Sequence, residues 1–123
     1  MKTLNVGIAT LKEMKTRTLA IARGSLRPGA DEPKIWFTST ESFAKMLSAK
    51  NRELLRVIAE NAPESLEKLA NLTQREKSNL SRTLKTMEAY GLVRLKRGER
   101  GRIAAQVMVE SVTLSLSLKP RGA

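Results

Sequence analysis

Hydrophobic positions alternate with polar ones at both ends of the chain and follow a helical period between them. Leu4, Val6 and Ile8 fall on one face of residues 3–9, which predicts a half-buried strand. From residue 10 to 23 the period lengthens, and the stripe that predicts a helix comprises Leu11, Met14, Thr18, Ile21 and Ala22. Residues 25–33 are rich in glycine and proline, so they are interpreted as a linker before a short extended segment at 35–37.

Four helical stripes follow between residues 38 and 90. Ser48 and Ser65 are placed to cap the second and third of these helices. Thr73-x-x-Glu76 fits a capping box that opens the fourth, predicted over 74–90 with an apolar stripe of Leu80, Leu84 and Met87. Gly91 is expected to end it, with Leu92 folding back onto Met87 in a Schellman motif.

The period of two returns after Gly91. Val93 and Leu95 predict one strand, the Gly-bounded segment 98–101 predicts a tight turn, and a second strand is expected over 103–107. A further amphipathic strand is predicted from the alternation of Val112, Leu114, Leu116 and Leu118.

This order of elements predicts a mainly α protein with a small antiparallel β wing, an α+β fold of the winged helix-turn-helix type. We expect an N-terminal strand–helix arm and linker (1–34) for dimerisation or partner binding. The winged helix-turn-helix domain would follow (35–110), and then a C-terminal strand and tail (111–123). The apolar terminal strands are expected to pair with each other or across a two-fold axis, or else to close the sheet of one monomer.

Composition narrows the function. The 123 residues contain no cysteine and no histidine, and they show no paired carboxylates beside a nucleophile, no phosphate-binding glycine loop and no metal-ligand spacing. We therefore expect no enzyme, no cofactor and no metal. The net charge of +11 indicates a polyanionic partner, and residues 68–102 hold ten basic and three acidic residues, a net +7.

The basic residues coincide with the predicted helix–turn–helix and hairpin, which favours double-stranded DNA as the partner. A recognition helix buries one stripe and leaves the remaining side chains for the major groove. The candidate DNA-binding residues on this helix are Gln74, Arg75, Lys77, Ser78, Asn79, Arg82 and Lys85. On the wing they are Arg97, Arg100 and Arg102.

Three segments carry a family resemblance: residues 65–70 (SLEKLA), 77–85 (KSNLSRTLK) and 90–93 (YGLV). Together they resemble the MarR-type winged helix over roughly residues 50–108. The flanks, residues 21–24 and 31–37, are similar to those of small prokaryotic MarR-like proteins that include the antitoxins of toxin–antitoxin pairs. The resemblance implies an autorepressing DNA-binding regulator with a protein partner. The chain lacks the long terminal dimerisation helices of larger MarR regulators.

The sequence therefore predicts a homodimeric, sequence-specific transcriptional regulator, most simply a repressor. One alternative is an interaction module that neutralises a toxin partner, with DNA binding secondary. A second is a basic RNA-binding module, although four aromatic residues leave little for base stacking. No targeting signal or membrane span is evident, which favours the cytoplasm.

Overall fold

A computed structural model describes residues 2–29 and 32–118 and shows an α+β protein. The strands in these ranges are β1 (Lys2–Ile8), β2 (Ile35–Phe37), β3 (Val93–Arg97), β4 (Ile103–Val107) and β5 (Val109–Ser115). The helices are α1 (Leu11–Ala22), α2 (Thr40–Met46), α3 (Ala49–Asn61), α4 (Leu66–Thr73) and α5 (Lys77–Ala89), and a 3₁₀ turn covers Glu99–Gly101. None of the helices described is long and apolar enough to cross a membrane.

The chain forms two compact units. The first contains residues 46–110, and the second combines residues 3–45 with the segment from 111 onward. The expected boundary after residue 34 therefore falls inside the second unit. The reason is that β2 pairs with β1, so residues 35–45 remain with the terminal strands.

The core of the first unit is built from α3, α4, α5 and the β3–β4 hairpin. Each helix places one apolar stripe inward, as amphipathic helices do around a shared core. The buried residues of these elements are Leu54, Ile58, Leu66, Leu69, Leu80, Leu84, Met87, Leu92, Val93 and Ala105.

The helix ends show which capping signals determine the local structure. Ser48 and Ser65 accept backbone hydrogen bonds as predicted, from Asn51 and Lys68. The Schellman motif is also confirmed, since Gly91 has φ +80° and the Leu92 N–H donates to the Met87 carbonyl.

The capping box predicted at Thr73 and Glu76 is wrong. Thr73 is the last residue of α4, and its hydroxyl donates to the Leu69 carbonyl instead of capping the next helix. Gln74 then adopts the left-handed conformation (φ 57°) that ends α4, so α5 begins only at Lys77.

The hairpin is antiparallel, with Val93 opposite Val107 and Arg97 opposite Ile103. Its tip is the 3₁₀ turn, where Arg100 (φ 59°) and Gly101 (φ 73°) are left-handed. The Glu88 carboxylate on α5 accepts from the Leu95 N–H at 2.8 Å. This bond uses a backbone donor on the outer edge of β3 and ties the hairpin to α5.

The second unit contains a three-stranded sheet in the order β2-β1-β5. β1 and β2 are parallel, with Val6 opposite Ile35 and Ile8 opposite Phe37. Parallel neighbours need a crossover connection, and α1 lies in it. A capping box between Thr10 and Glu13 begins this helix. β1 and β5 are neighbours in this sheet, so the terminal strands pair with each other within one chain.

Two expectations for the second unit are corrected. Of the stripe predicted for α1 only Met14 is half-buried: Leu11 is 74% exposed and Ile21 38% exposed, and the other half-buried positions are Arg17 and Ala20. The last strand ends at Ser115, so Leu116 and Leu118 lie beyond it. The predicted tail at 119–123 lies outside the described residues, as do positions 30 and 31 of the linker.

Three of the four aromatic residues lie in the second unit. Phe37 is 2% exposed and meets Phe43 edge to face, with 5.3 Å between ring centroids. The Trp36 ring lies across Gly7 on the neighbouring strand, and the Arg17 guanidinium lies 5.3 Å from the ring centroid. Glycine at position 7 is explained by this close approach, because an added Cβ would lie 2.5 Å from the Trp36 Cζ3 atom.

We expect Gly7→Ala to destabilise the second unit by about 1–3 kcal/mol, the usual cost of forcing a methyl group into a packed interior. Urea unfolding monitored by the fluorescence of the single tryptophan, Trp36, measures this loss directly. Gly29→Ala is the matched control, since a Cβ there meets only the Glu32 side chain at 3.6 Å. Equal unfolding free energies for the two variants would contradict the packing described.

Candidate nucleic-acid interface

α5 separates a fully buried stripe from a polar, positively charged one. Leu80, Leu84 and Met87 have 0% exposure, which fixes the rotation of the helix about its axis. At 100° per residue, the opposite side carries Ser78, Arg82 and Lys85 in one line. All three are exposed, and their side chains make no hydrogen bond or ion pair with any part of the chain that the structure describes. This line is hereafter the α5 stripe.

Gln74 and Arg75 do not belong to the helix on which the sequence placed them. Gln74 is the left-handed residue after α4, and its amide nitrogen donates to the Asn71 carbonyl at 2.8 Å. Arg75 lies in the turn and is half-buried. The helix begins later than predicted because the left-handed Gln74 redirects the chain between the two helices.

Arg75 is the centre of a polar network and not a free cation. Its Nη1 donates to Asn51 Oδ1 at 3.2 Å and its Nη2 donates to Asn79 Oδ1 at 2.9 Å. Its Nε is buried without a partner among the described residues. Burial lowers the pKa of this guanidinium from its ordinary value, because the charged form loses hydration. The network joins α3, the turn and α5.

Some of the charge counted in the sequence is neutralised locally. Lys77 lies 3.2 Å from Glu67 and Lys68 lies 3.3 Å from Glu64, both pairs being exposed. Such pairs contribute about 0–1 kcal/mol to stability and exchange readily with solvent. They nevertheless lower the positive potential along α4, so α4 attracts a polyanion less than the sequence indicates.

The hairpin retains its charge. Arg97, Arg100 and Arg102 are exposed, and so are Arg94 and Lys96 on β3. None of these side chains pairs with another described residue. The left-handed pair Arg100 and Gly101 turns the chain tightly at the tip, so two guanidiniums emerge from a short, compact turn.

A groove of about 940 Å³ brings part of the predicted site together. It runs between α4, the first turns of α5 and the hairpin tip. Its polar and charged lining residues are Glu64, Ser65, Glu67, Lys68, Asn71, Lys77, Ser78, Ser81, Arg100 and Arg102. Lys77, Ser78, Arg100 and Arg102 therefore share one surface, whereas Arg82, Lys85 and Arg97 lie outside its lining.

Two features of this surface were missed from the sequence. Asn51 is part of the Arg75 network although it lies 24 residues away, and no local pattern marks such a contact. Glu64 and Glu67 line the groove next to basic residues. The i, i+4 spacing of Glu64 and Lys68 could have predicted the first of these ion pairs.

No group of three or more His, Cys, Asp or Glu side chains in the described ranges could hold a metal ion. A family model described as HVO_A0114 matches residues 46–112, more than half of the chain and nearly the whole of the first unit. No curated protein and no solved structure matches the chain.

We expect Arg75→Ala to lower the free energy of unfolding by about 1–3 kcal/mol, because the half-buried Asn51 and the exposed Asn79 both lose a charged donor. Arg82→Ala, on the exposed side of the same segment, should change it by less than about 0.5 kcal/mol. Urea unfolding of both variants tests the distinction. If the two losses were the same, Arg75 would be another surface cation.

Proposed function

This chain belongs to the HVO_A0114 family, and we propose that it is a sequence-specific, double-stranded-DNA-binding transcriptional regulator that acts as a repressor. In this proposal α3, α4, α5 and the hairpin form a winged helix-turn-helix similar to that of MarR proteins. The observation that carries it is the set of exposed cations without described protein partners in the first unit, which lie on α5 and the hairpin, apart from Lys50 on α3.

The geometry of α4 and α5 supports the helix-turn-helix interpretation. Three residues, 74–76, separate the helices, a length typical of this motif. α5 is anchored by its buried stripe and exposes the α5 stripe over two turns. The major groove of B-DNA is wide enough, about 12 Å, to admit such a helix.

The exposed residues divide into two roles. Arg82 and Lys85 can donate to guanine or to phosphate, and the Ser78 hydroxyl suits a phosphate oxygen. The hairpin arginines suit the backbone or a narrow minor groove beside the site. Glu64 and Glu67 disfavour phosphates next to α4, so the proposal places the DNA backbone against α5 and the hairpin instead.

If Arg82 contacts a base, replacing it with alanine should weaken binding to a selected duplex by about 1–3 kcal/mol. If it contacts a phosphate, the slope of log affinity against log salt concentration should become shallower by about one. The measurement is a titration of each variant against the duplex over a range of salt concentrations, after selection of preferred sequences from a random pool.

Lys34→Ala is the matched control, since it removes one exposed cation from the second unit outside α1 and should leave both quantities unchanged. A scrambled duplex and a structured RNA serve as competitors. Equal affinity for all three nucleic acids, lost together as salt rises, would show polyanion attraction alone. Unchanged binding by Arg82→Ala would contradict the placement of the recognition helix.

A homodimer forms part of the proposal. Two recognition helices related by a two-fold axis would read successive major grooves about 34 Å apart on a near-palindromic site. Two observations support self-association: α1 exposes Leu11, Leu19 and Ile21, and β5 is an edge strand of its sheet.

We expect Leu11→Glu to shift the protein from dimer to monomer, with about a tenfold or larger increase in the dissociation constant, because a charge would be buried in an apolar contact. Light scattering coupled to gel filtration measures the shift over a concentration series. Leu72→Glu on α4 removes another exposed leucine and should leave the dimer intact. A monomer at every concentration for the unmodified chain would refute dimerisation.

The same exposed residues favour a second candidate, an interaction module that neutralises a toxin partner while DNA binding is secondary. Leu11→Glu separates the two functions. If the dimer and DNA binding persist while neutralisation of a co-expressed partner is lost, α1 serves the partner.

A further inference from the structure

The Asn79 side chain directs its amide oxygen towards Arg75, which leaves the amide nitrogen on the other side of the group. Its Oδ1 accepts from Arg75 Nη2 at 2.9 Å. A guanidinium carries donors only, so the atom of Asn79 that faces it must be the oxygen. The exposed side of the amide therefore holds two N–H donors.

The orientation of Arg75 is fixed from the other end of the network. Asn51 Nδ2 donates to the Met46 carbonyl at 3.0 Å, which directs Asn51 Oδ1 towards Arg75 Nη1 at 3.2 Å. Each member thus determines the orientation of the next, from Met46 through Asn51 and Arg75 to Asn79.

This arrangement changes what Asn79 offers to a base. An asparagine that pairs with adenine in the major groove donates to N7 and accepts from N6, so it needs both ends of its amide. Here one lone pair of Asn79 Oδ1 accepts from Arg75, and the positive charge of the guanidinium beside it opposes the approach of a second donor such as adenine N6–H. Guanine presents two acceptors, O6 and N7, and a side chain that offers donors alone suits that edge. Adenine presents its N6 donor where guanine has O6, so it opposes a donor with a donor.

We propose that Asn79 is a specificity-determining residue that selects guanine over adenine, and that Arg75 is the positioning residue that imposes this choice. The inference rests on the proposed function, since it assigns a base to one residue of the same recognition surface. Asn79 suits this role because it is exposed in the first turn of α5, the part of a recognition helix that approaches base edges.

The first experiment is selection of duplexes from a random pool by the full chain, followed by the same selection with Asn79→Ala. The base pair whose preference Asn79→Ala relaxes is the one that Asn79 reads. We expect the unmodified chain to prefer guanine there by about tenfold over adenine, the discrimination of one good side-chain contact.

The second experiment removes the hydrogen bond that Arg75 donates to Asn79 Oδ1. Arg75→Met keeps the length of the side chain but removes its donors, and we expect the preference at that one base pair to move from guanine towards adenine. A loss of stability alone would weaken binding to all duplexes and would not change the base at one position. Arg56→Met is the matched control, because it removes an arginine that binds Glu53 and Glu60 on α3 and should leave every preference unchanged.

Asn79→Asp keeps the proposal testable if Arg75→Met fails to fold. The aspartate is isosteric and still accepts from Arg75, but it has no donor, so the guanine preference should disappear. Retention of guanine at that position, or an adenine preference in the unmodified chain, would overturn the inference while leaving the DNA-binding function intact. If the unmodified chain enriches no sequence at all, the proposed function itself fails.

Discussion

The burial of one stripe on α5 is the constraint on which the rest of the first unit depends. Leu80, Leu84 and Met87 are completely removed from solvent, and a rotation of the helix by one residue would turn it by 100°. Such a rotation would bring charged side chains into an apolar core, at a cost of several kcal/mol for each unpaired ion. The core therefore determines which polar side chains face outward, and it places Glu88 on the β3 edge and Asn79 beside Arg75.

The attraction of the first unit for a polyanion depends more on which of its cations are already paired within the protein than on how many cations it contains. Lys68 and Lys77 lie beside Glu64 and Glu67 at the N-terminal end of α4, and Arg75 donates to two asparagines. Apart from Lys50 on α3, the exposed cations that remain without a described partner are on α5 and the hairpin. A phosphate approaching these residues displaces only water and counterions, whereas one approaching α4 must also compete with carboxylates. The same local pairing thus leaves most of the unpaired positive charge of the first unit on α5 and the hairpin.

The parts of this fold that the sequence predicted are those determined by short-range chemistry. Gly91 and Leu92 end α5 as expected because a left-handed glycine and one apolar contact suffice. Thr73 shows the limit, because its hydroxyl satisfies its own helix and the left-handed Gln74 supplies the turn. The candidate site also has one part that the sequence predicts and one that it does not. The helical period of residues 77–89 is enough to predict the exposed α5 stripe. The Arg75–Asn51 contact spans 24 residues and depends on how two helices pack.

The second unit shows why a correct helix prediction can assign the wrong face to the core. The predicted stripe of α1 includes Leu11, Met14 and Ile21, but only Met14 of that stripe is half-buried. Arg17 is half-buried instead, since its guanidinium covers Trp36 and contacts Glu32, so a long charged side chain supplies packing on this face. Trp36 in turn requires glycine on the adjacent strand. Because Arg17 covers Trp36 through a cation–π contact, Leu11, Leu19 and Ile21 of α1 remain at the surface. The proposed self-association of the second unit rests on this exposure.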